Sequence, residues 1–293
     1  MNADKEGAKG LFMLCGLCVL CASVLAIATG WAGAGVSTEP ATRPASRAAG
    51  ACEPYLYIPP ALADSVVFYH SFSRPDGKPE VNLLEADLIG PGASASAPGL
   101  TGPGFRPAAK GPAITLRKCS WPLTRPITVS LWFRLEEPMK EDSPFHLVSL
   151  WADGGYISHF VRGKGTWCAL KEPTFVIQLY NFRNISNVNG IDFGSAWLPH
   201  GQWHHAALTV SEGSRIRVFW DARLRSEITA KGRLFRPDDA VRTIGLGPQA
   251  AGHPMTVDEL LILDRALTAE EVAAYVTAVR KLAEAGFPFR GQG

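Results

Sequence analysis

Apolar and polar positions alternate with a period of two through much of the second half of this chain. In residues 127–135, Val129, Leu131, Phe133 and Leu135 alternate with Ser130, Trp132 and Arg134. In residues 175–182, Phe175, Ile177 and Leu179 share one parity and Gln178, Tyr180 and Phe182 the other. In residues 215–220, Ile216, Val218 and Trp220 alternate with Arg217 and Phe219. Successive side chains of a strand point to opposite faces, so each set predicts a strand with one face on a core. Further short apolar runs at 65–72, 113–117, 145–151, 156–161, 204–210, 243–246 and 256–263 are separated by turn-forming residues. Many short strands with almost no helix predict an all-β sandwich or barrel. Residues 85–112 are dense in Gly and Pro and predict mostly loop.

One helix is signed at both ends. Thr268 and Glu271 form a capping-box pattern, in which the hydroxyl and the carboxylate satisfy opposite backbone amides. Val272, Val276, Val279 and Leu282 then fall on one face, Gly286 offers a C-cap and Pro288 a stop. The helix predicted over 268–285 is expected to pack on the sandwich edge.

The amino-terminal region has a different pattern. Residues 11–28 carry no charge and no proline, and the apolar run continues to Val36. That length reaches the lower limit for a membrane-spanning helix and exceeds the core of most signal peptides. Small-residue sites at Ala26-Ile27-Ala28 and Ala32-Gly33-Ala34 keep a cleaved signal open as the second reading. Either reading exports the chain beyond about residue 36. Residues 37–63 are rich in Pro, Ala and Ser and predict an extended linker. The chain thus divides into a short cytoplasmic tail (1–10), an anchor or signal (11–36), a linker (37–63), a sandwich (64–285) and a tail (286–293). The expected placement is a single-pass membrane protein with its domain on the periplasmic or extracellular side.

Five segments in this order resemble the laminin-G-like, or concanavalin A-like, jelly roll. They are Val67-Phe68-Tyr69-His70-Ser71-Phe72, residues 127–134 around Trp132, Trp203-His204-His205, Val218-Phe219-Trp220-Asp221, and Val257-Asp258-Glu259 leading to Arg265-Ala266-Leu267-Thr268. The resemblance spans roughly residues 64–283. It implies a two-sheet antiparallel jelly roll recruited for binding rather than chemistry, and it admits calcium, with Asp221 and Asp258 as the family-like acids for an ion. Two positions depart from the family. Its hairpin turns through Asp-Gly where this chain has Asp221-Ala222, and it commonly has Gly where Met255 stands.

Composition removes some functions. Lys and Arg number 29 against 27 Asp and Glu, a net charge of +2, with the basic residues scattered, so nucleic acid is not expected as a partner. Of the six cysteines, Cys15, Cys18 and Cys21 lie in the apolar segment. Cys119 and Cys168 are the one pair within the sandwich, with Cys52 upstream, and no zinc-site spacing occurs. No nucleophile elbow, phosphate loop or dinucleotide fingerprint is present. Asp258 and Glu259 are adjacent, so on a regular strand they would point to opposite faces, as would His204 and His205. No carboxylate pair at alternate positions on one strand marks a glycoside hydrolase. A hydrolase whose acids come from different strands is the alternative to a non-catalytic module.

The outward parity of the strands supplies candidate ligand contacts: Trp132, Gln178, Tyr180, His205 and Arg217. Aromatic rings mixed with amide and guanidinium groups suit stacking against sugars or a patch on an exported protein. The competing reading is that loops or the C-terminal helix cover this face.

Overall fold

The alternating segments become strands that pair antiparallel into two facing sheets. A computed structural model describes residues 58–74, 77–89, 96–106, 114–138, 145–153, 155–162, 174–182, 185–192, 198–211, 215–229, 235, 238–246 and 254–285. The expected anchor, most of the linker, Cys52, Cys168, Gly286 and Pro288 lie outside them.

One sheet runs in the order β14 (Arg223–Thr229), β13 (Arg215–Trp220), β12 (Trp203–Ser211), β7 (Ile127–Leu135), β16 (Met255–Leu263), β1 (Val66–His70) and β2 (Val81–Asn82). A two-strand hairpin, β4 (Ser96–Pro98) and β5 (Pro103–Phe105), adds to it through β16. The other sheet runs β11 (Ile185–Asp192), β10 (Thr174–Phe182), β9 (Gly155–Arg162), β8 (Phe145–Ala152), β15 (Ala240–Leu246), β6 (Ile114–Pro122) and β3 (Asp87–Ile89). Strands β3, β4 and β5 arise where the Gly and Pro content predicts loop; they are three residues each.

The inward parity is as the sequence pattern predicts. Val129, Leu131, Phe133 and Leu135 of β7 pack with Ile216, Val218 and Trp220 of β13 and with Ile177 and Leu179 of β10 between the sheets. Met255 is fully buried and pairs with Leu135, so its side chain fills core where the family has glycine. Cys119 is a buried free thiol, its pKa pushed up to about 11 by burial.

A second core lies on the outer face of the nine-stranded sheet. Helix α2 (Ala269–Glu284) sits over that face, with Val272, Tyr275, Val276 and Val279 buried against Trp132, Ala207, Phe219 and Leu261. Both bonds of its capping box form: Glu271 N donates to Thr268 Oγ1 at 3.2 Å, and Thr268 N donates to Glu271 Oε2 at 2.9 Å. The helix ends at Glu284, with Ala285 as its C-cap residue. The end of the expected linker joins this core. Pro60–Ala63 forms a helical turn, α1, and Ile58 and Leu62 are buried in the same cluster. The sandwich domain therefore starts before Asp64, because a proline-initiated turn buries two large aliphatic side chains.

The β13–β14 hairpin keeps a turn with left-handed residues despite lacking glycine. Asp221 has φ of 45° and Ala222 of 68°, the pattern of a type I′ turn. Asp221 is held there by its carboxylate, which accepts from His204 Nδ1 at 2.7 Å, His205 N at 2.9 Å and Arg280 at 3.1 Å. Ala222 has no such side-chain bonds and carries the strain of its Cβ. Ala222→Gly is therefore expected to stabilise the fold by about 0.5–1 kcal/mol despite the entropy glycine adds to the unfolded chain. A rise in thermal midpoint checks this; a fall would show that the methyl contact with the α2 core outweighs the backbone strain.

Candidate binding face

The five outward candidates are distributed over both sheets, and the structure separates them. Trp132 and His205 are fully buried beneath α2. Their rings lie 5.2 Å apart, Tyr275 meets His205 edge-on at 5.6 Å, and Arg280 spans Trp132 at 5.7 Å. His205 Nε2 lies 2.7 Å from Ser130 Oγ, and burial pushes its pKa down to about 3, leaving the ring neutral. As placed, these two side chains hold the helix on the sheet and face no solvent. Arg217 is half-buried and donates to Glu227 Oε2 at 2.6 Å. The covering helix, not an open platform, takes this outer face.

Gln178 and Tyr180 belong to the other sheet, whose outward registers assemble a different set. Across β10, β9 and β8, Tyr180 pairs with Tyr156 and Tyr156 with Trp151. One register along, Gln178 pairs with Ser158 and Ser158 with Ser149. Trp151 is 40% exposed, and its ring lies 5.0 Å from that of Tyr156. Tyr156 Oη donates to Gln178 Oε1 at 3.1 Å, which fixes the amide against the aromatic row. The polar line continues inward, with Ser149 Oγ 2.9 Å from Ser158 Oγ and His146 Nδ1 3.0 Å from the latter. His146 stacks on Phe160 at 4.9 Å, and burial lowers its pKa, so the ring stays neutral. The exposed Trp151 thus adjoins a hydrogen-bonded polar row whose Ser149 and Ser158 are themselves buried.

Trp151, Tyr156, His146, Ser149 and Ser158 are absent from the sequence-derived set. Tyr156 and Ser158 alternate regularly with the buried Ile157 and His159, so that part of the signal is present in β9. In β8 the register shifts between His146 and Val148. The extra residue, Leu147, is buried in the core, and the shift re-aims His146 outward.

The adjacent acids Asp258 and Glu259 depart from strand alternation. A bulge interrupts β16 between Asp258 and Leu261, and Glu259 has φ of 50°. Both carboxylates consequently reach the β4–β5 turn. Asp258 Oδ2 accepts from Leu100 N at 2.7 Å and Thr101 N at 3.2 Å, while Glu259 accepts from Thr101 Oγ1 at 2.5 Å and Tyr69 Oη at 2.6 Å. Gly99 is required there, since a Cβ would come within 2.5 Å of Asp258 Oδ2. Burial raises both pKa values, Glu259 to about 7, and the neighbouring Glu259 charge raises Asp258 further. His204 and His205 do obey alternation: His204 bonds Asp221 near Phe133 and Trp220, and His205 faces α2.

Neither acid suits calcium. The oxygens of Asp221 and Asp258 face N–H and guanidinium donors, which a cation would have to displace. Among the described residues, no group of three or more His, Cys, Asp or Glu side chains is arranged to hold a metal ion.

A family model, that of the concanavalin A-like lectin/glucanases superfamily, matches residues 109–273. The chain belongs to that superfamily. Among solved structures, the binding domain of Paraclostridial Mosquitocidal Protein 1 is similar, with a TM-score of 0.54 at 17% identity over 73% of this chain and 52% of that one. The binding domain of botulinum neurotoxin serotype D gives 0.55 at 11% identity over 74% and 52%. A structure from work on cell entry of botulinum neurotoxin type C, described as dependent on interaction with two ganglioside molecules, gives 0.53 at 10% over 75% and 52%. This chain matches about half the length of each, and at these identities the likeness is one of fold. Comparison with curated protein sequences gave no match.

Proposed function

We propose that the protein is a non-catalytic binding module that takes carbohydrate on the outward face of its seven-stranded sheet. The observation that carries this is the exposed Trp151 ring beside the half-buried Tyr156, whose hydroxyl holds the half-buried Gln178 amide. A sugar ring offers an apolar C–H face to an aromatic side chain and hydroxyls to amides and alcohols at its rim. The superfamily and the toxin binding domains of like fold agree with this in kind. Against catalysis, the Asp258–Glu259 pair is fully buried and engaged with Leu100, Thr101 and Tyr69, with no room on its oxygens for a glycosidic bond and water.

A glycan array probed with the full-length protein is expected to show saccharide binding that Trp151→Ala weakens by about tenfold or more. The fold should be retained, since Trp151 is partly exposed. Failure to bind any glycan would overturn the reading and turn attention to an exported protein as ligand. The same proposal places the module on a single-pass anchor at residues 11–28, facing away from the cytoplasm. No helix among the described residues is long and apolar enough to cross a membrane, and residues 11–28 lie outside them. Membrane fractionation is expected to retain the full-length chain; release of a product shortened by about 30 residues would identify a cleaved signal instead.

A further inference from the structure

We infer that the β4–β5 hairpin is a strap closed by proton binding: in acid the buried Asp258–Glu259 pair fastens its turn, and in base the hairpin lifts while the sandwich stays folded. Three elements meet on two adjacent acids. Asp258 and Glu259 are fully buried, and the bulge in β16 aims both at residues 99–101. The turn is fastened there by Leu100 N and Thr101 N on Asp258 and by Thr101 Oγ1 on Glu259. Further along, the hairpin meets β16 at one register pair, Phe105 with Val257, and Ser73 Oγ donates to Pro103 O at 3.2 Å. Leu100 packs on the margin of the core beneath α2. A two-stranded hairpin of three residues a side has little stability of its own once its turn is released.

The partners differ in what they can do with a proton. Asp258 accepts from Leu100 N, Thr101 N and, at 2.9 Å, Glu259 N, and an N–H can only donate. Glu259 meets two hydroxyls, Thr101 Oγ1 and Tyr69 Oη, either of which can turn from donor to acceptor. A proton on the pair is therefore accommodated on Glu259, which then donates to one hydroxyl and accepts from the other. Without that proton, two adjacent carboxylates stand charged and out of water. Tyr69 of β1 and Tyr275 of α2 face them as neutral groups, burial pushing both phenols well up, and Glu80 adds a further acid. Arg106, at the end of the hairpin, and Arg134 of β7 are matched to Glu136. Burial first, then Glu80, raises Glu259 to about 7. Lifting the hairpin hydrates both carboxylates, so the closed form holds more protons than the open one. Closure is complete below the ordinary carboxylate range and is lost as pH rises through about 7.

Hydrogen–deuterium exchange of the full-length protein in detergent tests this, read on peptides covering residues 96–105 and corrected for the intrinsic rate at each pH. From about pH 5 to about pH 8 the protection of that segment is expected to fall about tenfold or more, while that of residues 203–211 in β12 changes less than about threefold. Glu259→Gln cannot ionise and still bonds both hydroxyls, so its hairpin should keep its protection within about threefold over the same range. Thr101→Val removes one fastening and should leave the hairpin poorly protected already at about pH 5, with β12 unchanged. Protection of 96–105 that is independent of pH in the parent, or that falls equally in Glu259→Gln, would overturn the inference. A matching fall in β12 would overturn it too, since the acids would then act on the whole fold. So would a Thr101→Val hairpin as well protected in acid as the parent's.

Discussion

Trp132→Ala is expected to destabilise the protein by about 3–5 kcal/mol. The indole is fully buried under α2, against His205 and beneath the Arg280 guanidinium. Its removal leaves a cavity between a sheet and a helix, each fixed by other contacts, so collapse is incomplete and the lost dispersion is not recovered. Urea unfolding measures this directly, with Trp151→Ala as the comparison at within about 1 kcal/mol, because an exposed ring has fewer contacts to lose. The two tryptophans should therefore dissociate: one variant loses stability, the other loses ligand. A Trp132→Ala protein as stable as the parent would mean that α2 does not cover the sheet in solution.

The second large effect is on pH dependence, where buried groups oppose one another. His159 and His205 have pKa values pushed down to about 3 by burial. Each holds fewer protons folded than unfolded between about 3 and 6.5, so each stabilises the fold above the unfolded value and loses that contribution as pH falls, at ~1.4 kcal/mol per pH unit. Glu259 has the reverse sign. With its pKa raised to about 7, it contributes stability that is complete below about 4.5 and is lost as pH rises through 7. Asp258 is raised as well, chiefly by burial and then by Glu259, and acts in the same sense. The two histidines and the two acids therefore oppose one another on acidification from about pH 6.5 to 4.5, and the histidine contributions continue to be lost below that.

Single substitutions should expose the hidden slopes. Relative to the parent, Glu259→Gln is expected to lose ~1.4 kcal/mol per pH unit on acidification across that window, and His205→Gln to gain about as much. Chemical denaturation of the three proteins at several pH values checks this. Parallel profiles would show that these groups do not keep their folded-state environments.

Much of the sandwich was legible because its strands obey a simple parity. The inward set of β7 and β13 follows from Val129, Leu131, Phe133, Ile216 and Val218 alone. The capping box likewise located α2 to within a residue at its start. The site was less legible, for reasons that lie in tertiary structure. Whether the outward Trp132 meets solvent depends on where a helix beginning at Ala269 packs, and nothing within β7 records that. Bulges at Leu147 and Glu259 each insert a residue, which turns His146 outward and brings two adjacent acids together. Gln178 and Tyr180 lie on the sheet proposed to carry the site, but their neighbours Tyr156 and Trp151 emerge only when three strands are set in register.

The position of β16 also has a consequence for how the chain is made. This strand lies between β7 and β1, and among the described residues β1 pairs on its other side only with the two-residue β2. Until residue 263 has left the ribosome, β1 has no long partner and neither core of the nine-stranded sheet can close. Synthesis at roughly 5–20 residues per second therefore leaves β1 without that partner for many seconds after it emerges. The edges of β1 and β7 that wait for it create a need for chaperone cover until this last strand arrives.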